Sequence, residues 1–417
     1  MDRVLLTFAY MKYSSATVLA ATTLLCLAQA IACSSKGPDG AAATGDEANI
    51  IGGVDAKSAS LNAVGAIVFR DRATNQLSPL CTATLIGPQT ILTAKHCAVQ
   101  FTQTPQADGG PPSPLTETRF LDSLKEMYFS VGFDTKTATK LVPLDGVTVC
   151  NDYQGGWVGL GCDIAVYHLK DAVTDIKPLK ITDAAFTDAS IGKKVAAIGY
   201  GSQNQPETAL GTRKVGALTL RATQGSPLHA LYPTLEAFTA ALTEAEGVAF
   251  VSNSAADLGA LYNQEMKSGS EVFLGAAEGD AQVCHGDSGG PLLQNVNGEL
   301  VVQGVLSAMP FAGARLSCQS GAIYELPTSA PARALIAASL IDPCAGVPSV
   351  GRCEGDVAVR CTRPDEGPRR LVKTDCSAIL QHCVAPEPAD AGSEAGATRE
   401  GGAATDAGAA AEVSCMD

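Results

Sequence analysis

The sequence predicts an all-β protein, two antiparallel β-barrels followed by a small disulfide-rich module. Three observations carry this. Short apolar runs of strand length recur along the first three quarters of the chain, among them Ala63–Arg70, Thr84–Ile86, Lys194–Gly199 and Leu300–Leu306. The 42 glycines and 22 prolines are spread between such runs, as many short strands and turns require. Six of the 14 cysteines crowd into the segment after residue 343, which is too short to bury much core and must rely on cross-links.

Taken in order, the chain opens with Lys12 and an apolar run from about Ala16 to Ala32, too short and too soon followed by polar residues to be a stable membrane span. It reads as a signal peptide. At its end, Ala30 and Ala32 satisfy the small-residue rule of ordinary export cleavage, whereas Cys33-Ser34-Ser35 resembles the lipobox of bacterial lipoproteins. Lipidation of Cys33 is the favoured outcome of the two, so the chain is expected in a bacterial cell envelope on an outer-membrane lipid anchor, or secreted. Residues 1–33 are then the signal, and 34–49 a polar linker or propeptide.

A barrel region is expected over residues 50–342. Its Pro- and Gly-rich stretch between Phe101 and Phe120 suits neither strand nor helix interior and reads as a surface loop. Around Leu228 to Leu261, Leu231, Leu235, Phe238 and Leu242 recur at helical spacing, which predicts a packed surface helix. Residues 343–384 form the Cys-rich module. In 385–417, Ala, Gly, Glu and Asp dominate and large apolar side chains are scarce, so a low-complexity acidic tail is expected. The net charge of −14 excludes nucleic acid as a partner, because phosphate binding needs basic surface.

The stretch Cys284-His285-Gly286-Asp287-Ser288-Gly289-Gly290-Pro291 sets a serine between glycines, which permit tight dihedrals and let backbone N–H groups converge on one point. Serine needs a base and a group that orients the base. Thr93-Ala94-Lys95-His96-Cys97 and Cys162-Asp163-Ile164-Ala165-Val166 offer both. His168, His229, His285 and His382 lack such a frame and read as ordinary surface or core residues.

These three motifs, in the order His96, Asp163, Ser288, resemble the TAAHC, DIAL and GDSGGPL motifs of trypsin-like serine endopeptidases of the chymotrypsin family. Ile50-Ile51-Gly52-Gly53 is similar to that family's mature N-terminus, and Gly199-Tyr200-Gly201 to its GWG segment. The resemblance covers roughly residues 50 to 342 and rests on five ordered motifs. It implies two six-stranded barrels with a C-terminal helix, and an enzyme acting on protein or peptide substrates. Ser288 would attack, His96 would move the proton and Asp163 would orient His96, with the Gly286 and Ser288 N–H groups as oxyanion hole.

Activation by a cut before Ile50, whose new ammonium would pair with Asp287, is also implied. Asn49 precedes that cut, so trypsin-like self-activation is not indicated: either another protease cuts there, or the form on the cell surface is a precursor. The pocket base falls on Gln282, with Ser307, Met309 and Ala322 as walls. With no acid at the base and methionine at the mouth, small or medium apolar residues are expected before the cleaved bond.

The resemblance pairs Cys81 with Cys97 and Cys284 with Cys318, leaving Cys150 and Cys162 to clip the loop before Asp163. No cofactor or metal is expected, since Cys-x-x-Cys is absent and histidines are scattered. The rival reading is a catalytically inactive protease-fold binding or adhesion lipoprotein, which normally would have lost one of the three catalytic residues. An esterase of the Gly-x-Ser-x-Gly type would run Ser, Asp, His instead.

Overall fold

A computed structural model describes residues 50–416, except 103–115, 120–125, 152, 156–159, 204–209, 247–250, 252–257, 311–317, 319, 342–343, 345–346, 349, 363–369, 380 and 386–412. The signal peptide, Cys33, the linker 34–49, most of the Pro-rich loop and most of the acidic tail therefore lie outside the described residues.

Twelve strands build the two barrels. β1 (Val64–Arg70), β2 (Leu77–Gly87), β3 (Thr90–Thr93), β4 (Met127–Val131), β5 (Lys140–Val149) and β6 (Ala165–Leu169) close into a ring in the order β6-β3-β2-β1-β4-β5. All its pairings are antiparallel. β7 (Lys194–Gly199), β8 (Lys214–Ala222), β9 (Glu271–Leu274), β10 (Pro291–Val296), β11 (Glu299–Ala308) and β12 (Ala322–Glu325) form the second ring, β8-β7-β10-β11-β12-β9, closed by the β8–β9 pairing. Closure removes the free edges that short strands would otherwise expose.

Alternation along the strands decides which side chains fill each barrel. Val272 and Leu274 on β9 point into the second barrel with Leu218, Leu220 and Tyr324. Phe273 between them, and Ile323 on β12, face outward and are covered by the insertion that follows β8. That insertion is helical, as its spacing predicts, but it is broken: Pro227–Leu231 and Leu235–Glu246 are separate helices, and residues 258–262 are helical as well. Pro233 explains the break: it lacks an N–H and drives Tyr232 out of the helical region. Thr234 then starts the second helix by accepting the Ala237 N–H at 3.2 Å. Phe238 and Leu242 are fully buried against the barrel.

The helix Ala330–Leu340 follows β12, with Pro331 in its first turn, and buries Ala332 and Ile336. Beyond it, the strands Arg352–Glu354, Val357–Thr362 and Arg370–Asp375 form a meander. His382–Val384 pairs with Ser414–Met416, so the Cys-rich module continues to Met416, past the boundary at residue 384 that composition suggests. Among the described residues its buried apolar cluster is small, Ala358, Cys376 and Val413, with Cys353, Cys383 and Cys415 packed on it. Three disulfides, Cys344–Cys361, Cys353–Cys383 and Cys376–Cys415, compensate for so small a core.

Candidate active site

His96 lies in a single 3₁₀ turn, Lys95–Cys97, just after β3, and the Cys81–Cys97 disulfide ties that turn to β2. Asp163 sits just before β6 and is fully buried. Its loop is pinned by Cys150–Cys162, and the third expected bridge, Cys284–Cys318, holds the segment before Ser288.

The Asp163 carboxylate is fully engaged. Oδ1 accepts the His96 backbone N–H at 3.0 Å, and Oδ2 lies 2.7 Å from His96 Nδ1. Ser307 Oγ on β11 donates to the same Oδ2 at 2.7 Å. This fixes the imidazole with Nδ1 protonated and Nε2 free to act as base. Burial lowers the His96 pKa, but the charge of Asp163 and its hydrogen bond outweigh that and hold it above the ordinary 6.5.

Ser288 arrives from the second barrel. Its carbonyl oxygen accepts the Thr82 N–H at 2.8 Å and lies 3.7 Å from Cys97 Sγ, so its backbone is stitched to the strand and turn that flank His96. Gly289, at φ +79°, permits this approach. A Cβ there would sit 2.0 Å from Thr93 Oγ1 and 2.4 Å from the Thr82 carbonyl. On the other side, the His285 carbonyl accepts the Ser202 N–H at 2.8 Å. A trans peptide carries its C=O and N–H on opposite sides, so this bond turns the Gly286 N–H away from Ser202.

Asp287 is buried, and both its oxygens are taken by backbone donors, Gly201 N–H at 2.7 Å and Cys284 N–H at 2.9 Å. Burial pushes its carboxyl up to about 7, although the two N–H groups and the His285 charge pull the other way. Gly201 leaves no space for a side chain, since a Cβ would lie 2.4 Å from Asp287 Cγ. Ile50 is buried in the second barrel's core with Ala197, Leu218, Ala281 and Val283. Ile51 forms an antiparallel bridge with Gln282, whose N–H donates to the Ile51 carbonyl at 2.8 Å.

The pocket residues divide. Gln282 is half-buried, Ala322 is fully buried in the barrel core, and Met309 packs against the same core. Ser307, expected as a pocket wall, commits its hydroxyl to Asp163, a role that sequence reasoning missed. Asp280 is the acid nearest Gln282 along the chain. Its carboxylate is held by Thr219 Oγ1 at 2.7 Å and by the N–H groups of Thr219 and Ala277. Residues 311–317 lie outside the described residues.

Two His/Cys groupings occur among the described residues, Cys81-His96-Cys97 and Cys284-His285-Cys318. Their sulfurs are locked in disulfides and have no thiolate to offer a metal. A family model described as a trypsin-like peptidase domain matches residues 81–301, just over half the chain. No curated protein matches the chain.

Proposed function

Because the chain belongs to the trypsin-like peptidase family, we propose that it is a serine endopeptidase working through Ser288, His96 and Asp163. The observation that carries this reading is the His96–Asp163 pair at 2.7 Å, with the Ser288 backbone stitched to the residues around His96. Ser288 Oγ attacks the scissile carbonyl as His96 Nε2 takes its proton. The imidazolium then protonates the leaving amine, and water repeats the sequence on the acyl-enzyme. The N–H groups of Gly286 and Ser288 receive the oxyanion, an arrangement worth about 3 kcal/mol of barrier per donor.

The substrate slot takes small or medium apolar side chains. Gln282 at its base carries no charge, Asp280 is occupied with Thr219, and Met309 narrows the mouth. The chain is made as a precursor, and a cut before Ile50 supplies an ammonium to Asp287, whose hydrogen-bond donors among the described residues are the neutral backbone N–H groups of Gly201 and Cys284. Export fits the six disulfides among the described residues, which form in oxidising compartments. Cys33 is the lipid attachment site, and the cut at Ile50 frees the protease from that anchor.

One experiment tests the core of this reading. Chain cut at Ile50 is given a peptide library and, separately, an alkyl fluorophosphonate. Cleavage after small apolar residues and labelling at Ser288 are expected, with Ser288→Ala lowering turnover by roughly six orders of magnitude. A cut chain that neither cleaves nor labels would be a binding protein instead.

A further inference from the structure

Behind the catalytic acid lies a second acidic group that the reaction does not consume. Glu271 on β9 and Glu325 on β12 stand directly opposite one another in an antiparallel pairing. Residues so placed share a face, with Cβ atoms about 5 Å apart. Both are closed to solvent, at 1% and 0% exposure. Two carboxylates so close in a dry interior do not both ionise.

Their partners differ. Glu271 Oε1 accepts the Gly161 N–H at 2.6 Å, and Oε2 accepts the Lys267 N–H. Backbone donors on both oxygens suit a carboxylate. Glu325 Oε1 accepts the Ser329 hydroxyl at 3.0 Å, while its Oε2 is buried with no hydrogen-bond partner among the described residues. A charge on that oxygen would be uncompensated. Gly161 is two residues before Asp163, and Cys162 between them is bridged to Cys150. Glu271 therefore grips the loop that presents Asp163 to His96.

We propose that Glu271 and Glu325 form a one-proton carboxyl pair that positions Asp163: Glu271, ionised, holds the loop at Gly161, and Glu325 carries the proton. The inference rests on the catalytic reading of Ser288, His96 and Asp163. Burial first, then the Glu271 charge and more weakly that of Asp163, hold the Glu325 carboxyl well above the usual carboxylate range, with Ser329 and Lys267 acting the other way. From β11 the residue opposite Glu325 is the apolar Val305. Among the described residues, the charged groups that bear on Glu325 besides Glu271 are Asp163 from the loop and Lys267 from the turn before β9. A carboxylate fixed behind the triad supports the positive charge that His96 acquires in the transition state.

The test uses chain cut at Ile50 and an alkyl fluorophosphonate, with labelling rate followed against pH. Glu271→Gln keeps the shape but removes the charge and puts an amide N–H₂ against one backbone N–H. It is expected to label at least about tenfold more slowly, as a loosened catalytic group does, with the acid limb of the profile moved to lower pH. A purely structural role would lower the melting temperature and leave that limb in place. Equal rates and limbs in Glu271→Gln and wild type overturn the inference alone, whereas a wild type that never labels at Ser288 overturns the catalytic reading and the inference together. Should Glu271→Gln not fold, infrared spectra of the folded wild type and Glu325→Gln decide. A protonated-carboxyl band near neutral pH that Glu325→Gln removes is expected, and its absence from wild type overturns the pair.

Discussion

At the scale of single residues, Asp287 carries the sharpest consequence. Its carboxyl is raised from 3.8 to about 7 by burial in the intact chain. The folded chain thus holds a proton there that the unfolded chain gives up near pH 4. The resulting stability is complete below about pH 4 and is lost as pH rises through about 7. At about 1.4 kcal/mol per unit, the loss reaches roughly 4 kcal/mol. Melts of uncut Ser288→Ala chain between those pH values should show stability falling with pH. Cutting before Ile50 should flatten that fall, because the new ammonium favours the charged carboxylate. A melt that ignores the cut would separate Ile50 from Asp287. The residues proposed for the catalytic chemistry stand out in local motifs, since each sits in a run of five to eight characteristic residues. Ser307 and Glu271 were not. Their partners lie 144 and 110 positions away, and only barrel closure brings them within reach.

At the scale of elements, one side chain gathers much of the segment after Ile50. Arg213, fully buried before β8, donates to the carbonyls of Ala56, Ser58, Leu61 and Val64 and to Asn62 Oδ1. A guanidinium's fixed fork of five donors suits such a loop, and lysine has no equivalent. Arg213→Ala strips those acceptors of their donor in a dry site and is expected to cost about 3–5 kcal/mol in urea unfolding. Arg213→Lys should recover only part of that. Nothing in the spacing around Arg213 marks it as buried, for arginine is ordinarily a surface residue. The insertion helices show the complementary case. Their apolar period was readable and their register correct, yet Pro233 divides them, because a period of 3.6 can persist across a one-turn break that the backbone cannot cross.

On the scale of the whole molecule, the two barrels and the Cys-rich module are stabilised differently. Each barrel has a continuous apolar interior, whereas among the described residues the module's buried apolar cluster has three members, beside three cross-links. Loops closed by 17, 30 and 39 residues stabilise by about 3–4 kcal/mol each. Mild reduction should therefore expose residues 344–416 to proteolysis while the barrels still resist, as a time course of fragments by mass spectrometry would reveal. Simultaneous loss of both would mean that the module leans on the barrels for its fold. The barrels were legible from strand-length runs and turn residues. The module's return strand Ser414–Met416 was not, because three residues carry no period and only Cys415 marks them.

The three barrel disulfides are placed where their loss would matter most. Cys97 follows His96 directly, Cys162 precedes Asp163 directly, and Cys284 lies four residues before Ser288. In a reducing compartment every member of the constellation loses its nearest covalent tether at once. Under the catalytic reading proposed above, a reduced chain is a protease with its blade unfastened, and oxidation of these three bridges fastens it.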